Sequence, residues 1–318
     1  MAGDHFDGKK FFTPGAPPVK GFREVMPWIL SRRPESWKEE VAVPFPPPPP
    51  ISQDLRITFV NHSTVLVQIS GINILTDPIW SYRASPVSFA GPRRFSQPGI
   101  ALDRLPPIHI ILLSHNHYDH MDLPTLRSIE RQHSPRVYTP LGNARYLTAS
   151  QNIREMDWWQ GDQYSEEIAI HCTPAQHFSG RGLADRNRAL WCGFVIETRR
   201  GNVFFAGDTA FGPHLEKIKF RFPRIHLALL PIGAYEPRWI MSPVHMSADE
   251  AVKAHTLLKP DYSIGIHHST FSLTDEPQYE PRDRIRQLAA ERNLRFHVLR
   301  NGESWTPEVT SFGSTIPL

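Results

Sequence analysis

Ser114-His115-Asn116-His117-Tyr118-Asp119-His120 packs three imidazoles and a carboxylate into the six positions from His115 to His120. The stretch follows an apolar run at 108–113 of the buried-strand type and precedes a helix candidate at 123–131 with Pro124 in its first turn. In a loop leaving a strand, alternate residues point the same way, so His115 and His117 can converge on one metal ion. Asp119 and His120 sit one turn further on, placed for a second ion. Solvated loop histidines are the plain alternative, but this spacing arises by chance in roughly one sequence in several hundred.

Four further positions complete a site if strand ends bring them together. His177 follows a strand candidate at 167–172, Asp208 follows one at 202–206, and His267 ends one at 262–266. His245 stands just before a helix candidate at 247–258, which Ser247 and Glu250 open as a capping box. Ligands at strand ends are where α/β sheets place their sites. Taken singly, each reads more readily as a satisfied core histidine or a helix-capping aspartate. His268 beside His267 stays undecided on this logic.

Other strand candidates lie at 55–60, 64–69, 72–75, 191–197 and 226–231, with a helix at 282–292. Runs of strands with helices between them predict a layered α/β domain over 51–318. Residues 1–50 hold 11 of the 31 prolines and end in Pro46-Pro47-Pro48-Pro49-Pro50, an extended polyproline spacer. The arm before it carries Phe11, Phe12, Met26, Trp28, Ile29 and Leu30 among Lys9, Lys10, Arg32 and Arg33. It is expected to pack on the catalytic domain or a partner chain, with contact to a lipid surface as the sharper alternative.

The formal net charge of +3 is too mild for a nucleic-acid binder. Two cysteines, Cys172 and Cys192, make neither a disulfide framework nor a cysteine zinc module, and read as buried thiols. The first 30 residues hold no long apolar segment and no stretch approaches a membrane span, so the expected setting is cytoplasmic. A Gly-x-Ser-x-Gly elbow, a phosphate-binding loop and a His-x-Lys pair are all absent from the sequence.

The His-rich stretch resembles that of the metallo-β-lactamase superfamily of binuclear hydrolases. Within it, the chain is similar to the N-acylphosphatidylethanolamine-hydrolysing phospholipase D family over about residues 51–305. The matching stretches include Leu75-Thr76-Asp77-Pro78-Ile79, Arg83-Ala84-Ser85-Pro86, Asp157-Trp158-Trp159, Pro174-Ala175-Gln176-His177, Gly207-Asp208-Thr209 and the run from Pro231 to Trp239. The resemblance implies a four-layered αββα sandwich with the proline-rich arm outside it. It implies one zinc on His115, His117 and His177, a second on Asp119, His120 and His267, and Asp208 bridging both. It favours His267 over His268, which stands where the family has Trp. Iron or manganese would suit the same nitrogen and oxygen donors.

The implied reaction is attack of a metal-activated hydroxide on the phosphodiester of N-acylphosphatidylethanolamine, giving phosphatidic acid and an N-acylethanolamine. Asp119 and His245 would be catalytic, with His245 near the leaving oxygen. His62 and Asp77 would orient ligands. Tyr118, Trp158, Trp159, Phe178, Arg181 and Tyr235 are the expected substrate contacts, and Arg93, Arg94 and Arg238 add cations for anionic headgroups. The expected partners are a phospholipid and a membrane surface met peripherally; a homodimer is compatible with this reading. Two other functions stay open: a related binuclear hydrolase acting on a lactone or small phosphodiester, and a non-catalytic metal-binding regulator.

Overall fold

The computed structural model describes residues 3–307 except 34, 42, 149, 151 and 183. Its first half runs α1 (Phe22–Ser31), β1 (Arg56–Asn61), β2 (Thr64–Ile69), β3 (Ile72–Thr76), β4 (Ile110–Leu112), α2 (Leu123–His133), β5 (Arg136–Pro140) and β6 (Ile153–Met156). Then follow β7 (Gly161–Gln163), β8 (Ile168–Thr173), β9 (Gly193–Thr198), β10 (Asn202–Phe205), α3 (His214–Arg221) and β11 (Ile225–Pro231). The chain continues through α4 (Arg238–Met241), α5 (Ala248–Leu258), β12 (Tyr262–Ile266), α6 (Glu280–Arg292), β13 (Phe296–His297) and β14 (Ser304–Trp305).

Two seven-stranded sheets result, ordered β14-β1-β2-β3-β4-β5-β6 and β13-β12-β11-β10-β9-β8-β7. Each is mixed. β1 to β3 form an antiparallel meander, and β3 to β6 continue in parallel. β7 to β10 are antiparallel, and β10 to β13 parallel. Strands buried on both faces need apolar residues at nearly every position, and Ile225–Pro231, apolar except at His226, shows this.

Three apolar clusters define the layers. Ile57, Val67 and Leu112 of the first sheet meet Ile170, Phe205 and Leu229 of the second between the sheets. Leu126 and Ile129 of α2 cover the outer face of the first sheet. Leu215, Val252 and Ile285, from α3, α5 and α6, cover the outer face of the second. The layering is therefore αββα, as expected, and the capping box at Ser247 and Glu250 opens α5.

The arm lies against this sandwich. Its α1 was not foreseen, because Pro27 inside the segment argues against a helix. Glu24 offsets that by accepting the Gly21 N–H at 2.8 Å, and Arg32 ties the helix to the carbonyls of Leu273 and Thr274. The carbonyls of Pro49 and Pro50 accept from Gln68 and Asn73, fixing the end of the proline run on β2 and β3. The expected 51–318 domain extends from 308 onward outside the described residues. Among the described residues no helix is long and apolar enough to cross a membrane.

Candidate metal centre

The ends of strands from both sheets deliver the site. β4 leads into His115, β8 into His177, β10 into Asp208 and β12 into His267. After His117 the chain turns helically, Met121 N–H bonding back to the His117 carbonyl at 2.8 Å, which swings Asp119 and His120 inward. Gly207 permits the close approach before Asp208: its φ is +60°, and a Cβ there would lie 2.7 Å from the Cys192 carbonyl oxygen and from Ser114 Cβ. His62, Asp77 and His267 also have positive φ, so left-handed non-glycine backbone gathers at the site.

His115 Nε2 lies 2.8 Å from His117 Nδ1, and His177 Nε2 lies 3.3 Å from the same atom. The outer nitrogens explain why the inner ones face each other. His177 Nδ1 donates to the Val244 carbonyl at 3.0 Å, and His115 Nδ1 meets Ser114 Oγ at 2.9 Å. Ser114 in turn donates to Asp77. Such outer partners fix the tautomer and leave the inner lone pairs free.

A second set faces Asp119, whose Oδ2 is 3.3 Å from His120 Nε2 and 3.4 Å from His267 Nε2. Asp208 Oδ2 stands between the sets: 3.1 Å from His120 Nε2 and from His267 Nε2, 3.8 Å from His177 Nε2 and 4.0 Å from His115 Nε2. His62 Nε2 lies 2.9 Å from Asp119 Oδ2, and Asp77 Oδ2 lies 2.7 Å from His120 Nδ1. His268 turns away, stacking on Phe59 at 4.9 Å, while His267, the residue the resemblance favours, joins the cluster.

Charge divides the cluster. Burial pulls His117 down to about 3 and His177 to about 4, so both are neutral at pH 7. Burial also opposes charge on His267, but Asp208 and Asp119 outweigh it and push this group up to about 9. His120 is raised well above its ordinary value, again because the two carboxylates overcome burial. Asp119 and Asp208 are held well below the usual carboxylate range, foremost by His120. Two buried carboxylates thus balance two protons that a dication would replace.

The donors fit such an ion. His120 Nε2, His267 Nε2 and Asp208 Oδ1 are buried without a directed hydrogen bond among the described residues. His115, His117 and His177 form one group able to hold a metal, and His62, Asp119, His120 and His267 another. His177, Asp208 and His245 form a further group. Neutral imidazoles with carboxylates suit zinc, iron or manganese.

A family profile described as a beta-lactamase superfamily domain matches residues 72–268. N-acyl-phosphatidylethanolamine-hydrolyzing phospholipase D 1 of Caenorhabditis elegans is 37% identical over 269 residues, covering 79% of this chain and 75% of the relative. The chain belongs to this phospholipase D family, within the metallo-β-lactamase superfamily. The mitochondrial N-acyl-phosphatidylethanolamine-hydrolyzing phospholipase D of Saccharomyces cerevisiae is 37% identical over 241 residues, 73% of this chain and 51% of its own. In fold, an isothiocyanate hydrolase from Delia radicum gut bacteria superposes with a TM-score of 0.65 at 19% identity, covering 79% of this chain and 98% of that one. The protein is a metal-dependent hydrolase.

The expected substrate contacts of this family member divide. Phe178 borders the first set, its ring 4.5 Å from His117 and 4.9 Å from His177. Tyr235 is buried, its hydroxyl unpartnered among the described residues. The structure does not bring Trp158 to the cluster: it lies in the inter-sheet core, stacked on His5 and donating to the Trp191 carbonyl. Trp159 instead meets α3, with Arg221 donating to its carbonyl at 3.0 Å.

Tyr118 and Arg181 are occupied with the loop itself. The Tyr118 hydroxyl donates to the Arg181 carbonyl, and Arg181 Nη1 donates to the Asn116 and Met121 carbonyls at 2.8 Å. Arg94 is a further correction. It is 2% exposed and donates to Asn61, Ile79 and Ser96, so it braces the interior rather than meeting headgroups. Arg93 is exposed and paired with Glu39, and Arg238 pairs with Glu250. Sequence reasoning missed Ser114 and the Val244 carbonyl, since backbone acceptors and a lone serine leave no signal.

Proposed function

We propose that the protein hydrolyses N-acylphosphatidylethanolamine to an N-acylethanolamine and phosphatidic acid, using two zinc ions. His115, His117 and His177 would hold one ion, Asp119, His120 and His267 the other, and Asp208 both. The observation carrying this reading is the position of Asp208 Oδ2 between the two imidazole sets, 3.1 Å from His120 and 3.8 Å from His177. The phospholipase D relatives supply the substrate. Zinc bound there supplies Lewis acidity and an acidified water near neutral pH. Iron or manganese would fit the same donors.

The residues then have separate tasks. Asp119, kept ionised and braced by His62, accepts the proton of the attacking water. The water oxygen bonds to phosphorus as the bond from phosphorus to the ethanolamine oxygen breaks, and the proton taken up by Asp119 is passed to that leaving oxygen, giving the free N-acylethanolamine. His245, with its Nδ1 4.0 Å from Asp208 Oδ2 and its ring 5.0 Å from His177, faces the same space and would stabilise the leaving oxygen. Asp77 and Ser114 keep His120 and His115 aimed. A lipid substrate implies peripheral action at a membrane surface; the cytoplasmic setting and a homodimer belong to the same proposal.

Zinc-loaded protein offered N-acylphosphatidylethanolamine in mixed micelles tests this, with products followed by mass spectrometry beside a His117→Ala control. Lactones and small phosphodiesters serve as the comparison panel. Metal-dependent release of phosphatidic acid, absent in the control, is the expected result. Turnover confined to another member of the panel would discard the lipid.

A further inference from the structure

Residues 3–20 add no strand to either sheet, yet they hold the chain both before and after the turn that carries His177. His5 is 4% exposed, its Nε2 lies 2.7 Å from Asp157 Oδ1, and its ring stacks on Trp158 at 4.2 Å. Phe11 is buried in the inter-sheet core, and its N–H donates to the Asn187 carbonyl at 2.8 Å. Thr13 Oγ1 donates at 3.2 Å to the Ala175 carbonyl, which also accepts from Trp191 Nε1 at 3.0 Å. Ala175 stands two residues before His177.

A second route reaches the same half of the site. The Lys20 carbonyl accepts from Arg186 Nη2 at 3.2 Å, and Arg186 lies over the Phe178 ring at 5.0 Å. That ring packs edge-on against His117 at 4.5 Å and also contacts His177. Burial holds the half-buried Arg186 guanidinium below its ordinary value.

We infer that residues 5–20 are a strap that positions His177 and His117, through Thr13 on the Ala175 carbonyl and Lys20 on Arg186. His5 and Phe11 anchor the strap; Thr13 and Lys20 transmit it. The inference rests on reading His115, His117 and His177 as one metal half-site. It distinguishes the halves: His120 and His267 take their aim from Asp77 and from the β12 end, which the strap does not touch. Loss of the strap therefore loosens one ion and spares the other.

The test compares wild type, Thr13→Val, Thr13→Ser and the double variant His5→Ala/Thr13→Val. Metal per chain is measured after dialysis against graded chelator, with the thermal midpoint of the metal-free protein alongside. The double variant is expected to lose one of two ions at roughly tenfold lower chelator, the scale seen for outer partners of metal ligands. The second ion should hold, and Thr13→Ser should behave as wild type. Thr13→Val alone, nearly isosteric and at a half-exposed position, keeps the test available if the double variant misfolds. An unchanged chelator profile overturns the strap. So does loss of both ions together in step with a lower metal-free midpoint, which marks a merely structural arm. No substrate enters this readout, so a wild type that holds two ions without cleaving the lipid would sink the proposed reaction alone. A wild type that holds fewer than two would overturn the half-site and the strap with it.

Discussion

Asp77 Oδ2 lies 2.7 Å from His120 Nδ1, and Asp77 Oδ1 accepts the Ser114 N–H at 2.7 Å, so one fully buried carboxylate aims a histidine and fixes the start of the His-rich loop. Asp77→Asn keeps the shape and removes the charge. The half-site containing His120 should lose affinity about 10–100-fold, as outer partners of metal ligands typically do. A zinc titration monitored by calorimetry reads this, and an unaltered second affinity would show that Asp77 only shapes the turn.

Asp208 and His117 should differ in kind. Asp208 faces both imidazole sets, whereas His117 belongs to one. Asp208→Ala is expected to leave less than one ion per chain, and His117→Ala to keep about one. Elemental analysis of purified variants decides between them.

Trp158 provides a negative test of the substrate contacts expected from sequence. It is 8% exposed and packs in the core between the sheets. Trp158→Ala should cost about 3–5 kcal/mol of stability, the usual range for emptying a buried aromatic site. Turnover per folded molecule carrying its full metal complement should be little changed. Selective loss of lipid turnover at full stability would return Trp158 to the substrate path.

His214 makes stability depend on pH. Burial, with Lys217 adding to it, pulls His214 down to about 3, against an ordinary value of 6.5. The unfolded chain therefore binds a proton below pH 6.5 that the folded chain refuses, and stability falls as pH drops. Between pH 7 and pH 5 this one group contributes a loss of about 2 kcal/mol. His214→Gln, which can still meet Thr209, should flatten that part of a denaturation series in metal-free protein. A slope equal to wild type would show that other groups carry it.

Gly207→Ala should be among the costliest small substitutions near the centre. The φ of +60° disfavours a side chain, and its Cβ would meet the Cys192 carbonyl and Ser114 Cβ at 2.7 Å. Thermal midpoint and metal content should fall together. Retention of both would mean that the loop shifts without moving Asp208.

Much of the site was legible in sequence because its chemistry is local. His115, His117, Asp119 and His120 fall within one loop, and period-two and capping patterns placed the strands and helices around it. Short range determines such features: backbone alternation fixes which side chains share a face, and a buried strand announces itself by unbroken apolar residues. Residue patterning alone left His267 and His268 open and the family resemblance favoured His267; the tertiary structure gives the physical reason, since neighbouring residues at a strand end differ in direction by a backbone angle, here the +60° φ of His267. It also decided that Trp158 and Arg94 are interior and that His5, 152 residues from Asp157 in the chain, is its partner. Contacts of that span depend on how two sheets stack, and stacking is set by the whole core rather than by any stretch of sequence.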